Sequence, residues 1–141
     1  MHEPLKYQKR YLYPHMKPRD VEIWERFIDK YPDAYETCQY DLHVGDPPTF
    51  NTLMDDGTDR NQAALYQLKI DVVGRTPDHI DIIEVKPDAG PATIGQVLGY
   101  RALYIRDEKP TQPINMVIVT NMERLNMDFL ARNAGVRLVV V

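Results

Sequence analysis

The sequence is poor in cysteine and contains no long apolar segment. Cys38 is the only cysteine among the 141 residues, so no intrachain disulfide can form, as is typical of proteins from a reducing compartment. No stretch approaches the roughly 18 consecutive apolar residues that a membrane span requires. No apolar run follows the basic residues near the N-terminus, where a secretory signal would need one. We therefore expect a cytoplasmic protein that does not associate with membranes.

The sequence has no excess of positive charge. The chain has 17 Lys and Arg residues against 21 Asp and Glu residues, a formal net charge of −4. This balance argues against a protein that coats nucleic acid through bulk charge. Hydrophobic residues make up 43% of the chain and charged residues 27%, as in ordinary globular domains. A chain of this length can bury a core without disulfides or structural metals.

The basic residues that are present concentrate at the N-terminus. Residues 1–19 contain five of them and three interleaved tyrosines: Lys6, Lys9, Arg10, Lys17, Arg19, Tyr7, Tyr11 and Tyr13. Such a segment can lie along phosphates while its rings stack on bases; the alternative is a solvated, partly ordered leader. We divide the chain into a basic N-terminal arm, residues 1–19, and one domain, residues 20–141. The nucleic-acid-binding residues predicted in the arm are Lys6, Lys9, Arg10 and Lys17.

The order of predicted elements indicates an α/β fold. A helix over residues 21–30 begins after Asp20 as N-cap and stops at a proline. Strands follow over 35–44, 66–73 and 80–86, with a long polar loop over 45–61 between the first two. A helix from Pro91, a strand over 113–120, a helix from Asn121 to about residue 133 and a strand over 136–141 complete the chain. This order predicts a central mixed β-sheet flanked by helices.

The first predicted strand alternates between apolar and polar residues. The side chains expected to face the core are Cys38, Tyr40, Leu42 and Val44. Those expected to face away are Thr37, Gln39, Asp41 and His43. This pattern predicts a half-buried strand and places the single cysteine in the core, where it packs rather than reacts.

Glu84 and Lys86 are the first candidates for chemistry. They lie two residues apart on a strand, so both side chains leave the same face of the sheet. A hairpin about residues 76–77 would place Asp71 near Ile82 and within reach of Glu84. Two adjacent carboxylates repel each other, and a divalent cation removes that penalty. The simpler interpretation is that Glu84 and Lys86 are ordinary charges on an exposed strand face.

A helix after this strand extends the pattern. Gln96 and Tyr100 are four residues apart, so they share one helical face. Together, Asp71, Glu84-x-Lys86 and Gln96-x-x-x-Tyr100 resemble the PD-(D/E)xK nuclease superfamily, with a QxxxY element similar to that of RecB-type and lambda-exonuclease-type members. The resemblance covers roughly residues 20–120, and it implies the restriction-endonuclease-like αβββαβ core of that superfamily.

The resemblance also implies roles for individual residues. Asp71, Glu84 and the Val85 carbonyl would be ligands of Mg²⁺, with Mn²⁺ as a substitute. Lys86 would assist the nucleophile, and Gln96 and Tyr100 would position it or the substrate. Family members often add a glutamate from the first helix; Glu22 and Glu25 are both candidates here, with Glu22 nearer the usual spacing. Asp71 follows Ile70 rather than the proline of the signature.

We therefore expect a metal-dependent nuclease that hydrolyses phosphodiester bonds in DNA, and we expect it to act as an endonuclease. RNA as the substrate stays open. The alternative is a nucleic-acid-binding or assembly protein that uses a nuclease-like fold without catalysis. The apolar C-terminal strand, Val136–Val141, could pair with a second chain as a sheet edge, which leaves a homodimer open.

Overall fold

The computed structural model describes residues 3–46 and 68–141, which form six strands and three helices. In chain order these are β1 (Leu5–Lys6), α1 (Pro18–Lys30), β2 (Thr37–Val44), β3 (Leu68–Arg75), β4 (Ile80–Val85), α2 (Pro91–Glu108), β5 (Ile114–Thr120), α3 (Met127–Asn133) and β6 (Val136–Val140). The strands form one sheet in the order β1-β2-β3-β4-β5-β6. The first four are antiparallel to their neighbours, while β5 and β6 run parallel to β4. The α/β class with a mixed sheet is therefore confirmed.

No helix in the described part of the chain is long and apolar enough to cross a membrane. Most of the predicted 45–61 loop, from residue 47 onwards, and residues 66–67 of the predicted second strand lie outside the described residues.

The first helix begins earlier than predicted. Lys17 is its N-cap, with extended backbone, and Pro18 takes the first helical position. Proline is favoured there because an N–H at this position would have no intrahelical partner. The prediction of Asp20 as N-cap is wrong. Asp20 is instead the third helical residue, and its Oδ2 accepts a hydrogen bond of 3.0 Å from the Lys17 backbone N–H.

The last helix begins later than predicted. The structure starts α3 at Met127, so Asn121 is not its cap. The Asn121 side-chain oxygen instead accepts a hydrogen bond of 2.7 Å from the Asp88 backbone N–H, which ties the turns after β4 and β5 together. The predicted C-terminal end is confirmed, because Gly135 follows α3 with a left-handed φ of 75° that glycine adopts without strain.

The N-terminal segment packs against the sheet. Leu5 pairs with Cys38 across β1 and β2, and the rings of Tyr7 and Tyr13 are buried. Tyr13 lies edge-on to Tyr40 with 5.4 Å between ring centroids. Tyrosine rings carry a large apolar surface, and the free energy gained by burying it favours packing of the segment against the sheet. This part of the predicted N-terminal arm is thus packed against the sheet.

The core has two sides, one on each face of the sheet. Trp24 and Phe27 of α1 pack with the inward residues of one face, and α2 and α3 cover the other face. Along β2 the packing changes face at Asp41, whose left-handed φ of 54° breaks the strand alternation. As a result Cys38 and Tyr40 pack on the α1 side, whereas Leu42 and Val44 pack on the α2 side.

The predicted half-buried alternation of β2 is therefore wrong. Gln39 and Asp41, expected to face away from the core, are buried. The burial of Cys38 is confirmed, and it raises the pKa of its thiol to about 12, which keeps the thiol protonated and unreactive.

Candidate metal centre

Asp71 and Glu84 lie together on neighbouring strands. The register of β3 and β4 pairs Val72 with Ile83, which sets Asp71 opposite Glu84 instead of near Ile82 as predicted. The backbone N–H of Val85 donates a hydrogen bond of 2.9 Å to Asp71 Oδ2. The two carboxyl groups are close enough for each to shift the pKa of the other. The structure therefore brings together the two acidic residues that the sequence singled out.

The pair is costly to ionise. Glu84 is only 7% exposed; burial first, and then the charge of Asp71, raise the pKa of Glu84 far above its usual range. Burial also raises the pKa of Asp71, although the hydrogen bond from Val85 opposes this rise. In the metal-free protein a proton shared between the two carboxyl groups lowers this cost, with Glu84 as donor and Asp71 as acceptor.

One atom of the pair is left unsatisfied. Glu84 Oε2 is buried and has no hydrogen-bond partner in the described part of the protein. Buried carboxylate oxygens are nearly always hydrogen-bonded or bound to a cation. An unpaired acceptor beside a second carboxylate has the donor chemistry that a hard divalent cation requires, so these residues fit Mg²⁺.

A cavity of about 560 Å³ opens onto the pair. It lies between the N-terminus of α1 and the end of β4, and its lining comprises Lys17, Pro18, Arg19, Asp20, Asp71, Glu84, Val85, Lys86 and Pro87. Three acidic side chains and three basic side chains thus line the same cavity. This is a suitable arrangement for a phosphodiester that meets a metal ion held by the acidic groups.

Asp20 is the acidic residue that α1 contributes to the cavity. Its negative charge raises the pKa of both Asp71 and Glu84, so it lies within electrostatic reach of the pair. Sequence reasoning treated Asp20 only as a helix cap. The proline at residue 18 was the available signal, because it marks the true first turn and puts Asp20 at the tip of the helix.

The structure does not place Glu22 at the cavity. Its carboxylate pairs with Arg26 at 2.6 Å on the exposed side of α1. Glu25 is also elsewhere, because its Oε2 accepts a hydrogen bond of 3.0 Å from the Tyr13 hydroxyl. The first turn of α1 lines the cavity, and Glu22 and Glu25 lie beyond that turn. Of the acidic residues of α1, Asp20 lines the cavity and the predicted ligand Glu22 does not.

Lys86 and Tyr100 lie within electrostatic reach of the pair, and Gln96 contacts Tyr100. The positive charge of Lys86 acts to lower the pKa of Glu84, which places the ammonium near the carboxyl group. Tyr100 on α2 is buried; burial and the charges of Glu84 and Asp71 raise its pKa to about 12. Gln96, one turn earlier, hydrogen-bonds to the Tyr100 hydroxyl.

Of the predicted nucleic-acid-binding residues, only Lys17 lines the cavity. Lys9 forms an ion pair with Asp29 at 2.8 Å, and Arg10 donates a hydrogen bond of 2.7 Å to the carbonyl of Lys6 in β1. Arg19, which was not predicted, takes a place beside Lys17.

Asp41 is a second acidic residue that sequence reasoning missed. The register of β2 and β3, continued through the interruption at this residue, sets Asp41 opposite Asp71, and its charge raises the pKa of Asp71. Its Oδ2 lies 3.1 Å from His15 Nε2 and 3.6 Å from His43 Nε2. The alternation of the sequence predicted that Asp41 faces away from the core, so it gave no signal that this side chain is buried.

Among the described residues, no three His, Cys, Asp or Glu side chains are arranged to hold a metal ion by themselves. A cation between Asp71 and Glu84 would therefore complete its shell with backbone, water or phosphate oxygens, as Mg²⁺ commonly does. Comparisons of this chain with protein-family models, with curated proteins and with solved structures found no match.

Proposed function

We propose that this protein is a Mg²⁺-dependent nuclease that hydrolyses phosphodiester bonds in DNA, on a restriction-endonuclease-like core. The observation that carries the proposal is the Asp71–Glu84 pair, in which Glu84 is buried, has one unpartnered oxygen and lies next to Lys86. The order of β2 to β5, with α1 on one face and α2 on the other, supports the αβββαβ core.

Asp71, Glu84 and the Val85 carbonyl would hold the cation, with Asp20 close enough to contribute directly or through water. When bound, the cation polarises the phosphate and lowers the pKa of a coordinated water. Glu84 gives up its proton on binding, since a nearby positive charge favours the carboxylate. The buried position of the pair, which is unfavourable in the free protein, thereby becomes a source of selectivity for a divalent cation.

The remaining residues handle the substrate. The Lys86 ammonium orients the attacking water and stabilises negative charge that develops on the phosphate. Tyr100 stays protonated at neutral pH because its pKa is about 12, so its hydroxyl can donate a hydrogen bond to a phosphate oxygen. Lys17 and Arg19, which line the cavity, neutralise phosphates on either side of the reacting one.

The chemistry is an in-line displacement. The water oxygen bonds to phosphorus while the bond from phosphorus to the leaving sugar oxygen breaks. The water loses one proton and the leaving oxygen gains one, so the products are a phosphate monoester and a free hydroxyl.

The test is a substrate panel. Labelled single-stranded, duplex and branched DNA, and RNA of the same sequence, are incubated with the protein in Mg²⁺, Mn²⁺ or EDTA. We expect cleavage of DNA that requires a divalent cation and stops in EDTA. Cleavage of RNA alone would change the substrate class. Binding of DNA without cleavage under any metal would favour the alternative of a nucleic-acid-binding or assembly protein.

A further inference from the structure

The two edges of the sheet are protected to very different degrees. The β1 edge is two residues long, Leu5–Lys6, and Pro4 precedes it. Short strands, proline and lysine are the usual devices that prevent edge-to-edge pairing. The β6 edge is five residues long, Val136–Val140, and its single charge is Arg137. Within the described residues no strand pairs with its outer side.

An exposed apolar surface lies next to the unprotected edge. Helix α3 buries Met127 and Ala131 against the sheet beside β6. The apolar patch on its outer side, and on the turn that leads into it, consists of Met122, Leu125, Phe129 and Leu130. Leu125 is 91% exposed and Phe129 70%. Large exposed apolar side chains grouped in this way mark interaction surfaces.

The charges around the patch favour a protein over a nucleic acid as the occupant. Residues 122–133 contain two acidic and two basic residues, so the surface carries no net charge. Both basic residues are paired: Arg124 with Asp88 at 2.9 Å, and Arg132 with Asp128. A phosphate backbone would find no free cation in this segment.

We infer that the β6 edge and the apolar patch form the interface of a symmetric homodimer. Antiparallel pairing of β6 with β6 of a second copy places a two-fold axis normal to the sheet. Because that axis keeps each face on its own side, the two α3 helices meet on one face and their patches cover each other. The four patch side chains expose on the order of 500 Å², and the edge adds to this, approaching the ~800 Å² per partner of stable interfaces.

The geometry has a consequence for catalysis, and this consequence alone rests on the proposed function. The two β4 strands would be antiparallel and five strand spacings apart, about 24 Å. The catalytic centres, each at the carboxyl end of its own β4, would therefore point toward opposite ends of the strands in a continuous twelve-stranded sheet. Each centre would act on a separate phosphodiester rather than on facing strands of one duplex site.

Analytical ultracentrifugation from about 1 to about 100 µM tests the interface without reference to activity. Phe129→Glu is the test variant, and Leu12→Glu, at a 72% exposed leucine outside the patch, is the matched control. We expect the wild type and Leu12→Glu to shift from monomer to dimer with concentration. Phe129→Glu should weaken the dimer at least about 10-fold, because two carboxylates would be buried in the interface.

A second readout identifies the edge itself. Amide hydrogen exchange in β6 should slow as wild-type concentration rises, and it should not slow in Phe129→Glu. If Phe129→Glu is poorly folded by circular dichroism, Leu125→Glu replaces it, since that residue is almost fully exposed. A wild type that stays monomeric over the whole range would overturn the proposal, as would a Leu125→Glu or folded Phe129→Glu protein that dimerises like wild type.

Discussion

At the scale of a single residue, Glu84 links the energetics of the fold to the proposed chemistry. Its carboxyl group is buried between two strands, next to a second carboxyl group and with one oxygen unpartnered. A residue selected only for stability would not be a glutamate here, because ionising it costs free energy. A bound cation offsets this cost and makes the same group useful.

The pH dependence of stability follows from the raised pKa of Glu84. The folded, metal-free protein keeps a proton on Glu84 that the unfolded chain releases above about pH 4.5. The free energy of unfolding should therefore fall as pH rises above that value, by at most about 1.4 kcal/mol per pH unit. Glu84→Gln cannot lose this proton, so its advantage over the wild type should grow with pH.

Urea unfolding in EDTA at about pH 5, 7 and 8.5 measures this difference. The exposed Glu22→Gln variant is the control, since its carboxylate pairs with Arg26 on the surface. A Glu84→Gln protein that is no more stable than the wild type at the highest pH would contradict the burial of an ionisable group at this position.

Asp20 and Glu22 offer a second, direct comparison at the residue scale. Asp20 lines the cavity, whereas Glu22 is on the exposed side of α1. Asp20→Asn should reduce the rise in melting temperature that Mg²⁺ gives the wild type, because it removes negative charge near the cation. Glu22→Gln should leave that rise unchanged. Equal effects from the two variants would remove Asp20 from the site.

At the scale of the elements, the N-terminus of α1 is what completes the cavity. Pro18 begins the first helical turn, and its neighbours Lys17, Arg19 and Asp20 therefore line the cavity together at the end of β4. The positive end of the helix dipole points the same way, which adds to the attraction for an anionic substrate.

DNA binding should therefore depend on α1 more than on the rest of the N-terminal segment. Lys17→Ala and Arg19→Ala should each reduce the slope of log K against log salt concentration by about 1, since each removes a phosphate contact. Lys9→Ala is the control because its ammonium is paired with Asp29. Fluorescence anisotropy with Ca²⁺ in place of Mg²⁺ measures the slopes. A slope that changes only in Lys9→Ala would shift the binding surface away from α1.

The elements also show how far sequence reasoning reaches. Periodicity and chain-breaking residues were sufficient for the order of the long helices and strands, and strand spacing was sufficient for the shared face of Glu84 and Lys86. They were not sufficient for β1, whose two residues carry no periodic signal. They also missed the change of face in β2, because no feature of the periodic pattern marks the left-handed backbone at Asp41.

At the scale of the whole molecule, the distribution of charge distinguishes the cavity from the rest of the surface. The chain is acidic overall, with a net charge of −4, yet Lys17, Arg19 and Lys86 stand together around the one cavity that holds the acidic pair. The polyanionic substrate of the proposed nuclease would thus be attracted at this cavity and repelled elsewhere.

The central claim is that Asp71 and Glu84 hold the cation that makes DNA cleavage possible. The most direct measurement is the rate of cleavage in Mg²⁺ by wild type and by Glu84→Gln, at protein concentrations where both bind DNA equally. Gln keeps the shape of the side chain and removes one negative charge, so we predict a rate at least about 100-fold lower in a protein that stays folded. A Glu84→Gln protein that cleaves DNA at the wild-type rate would contradict the claim.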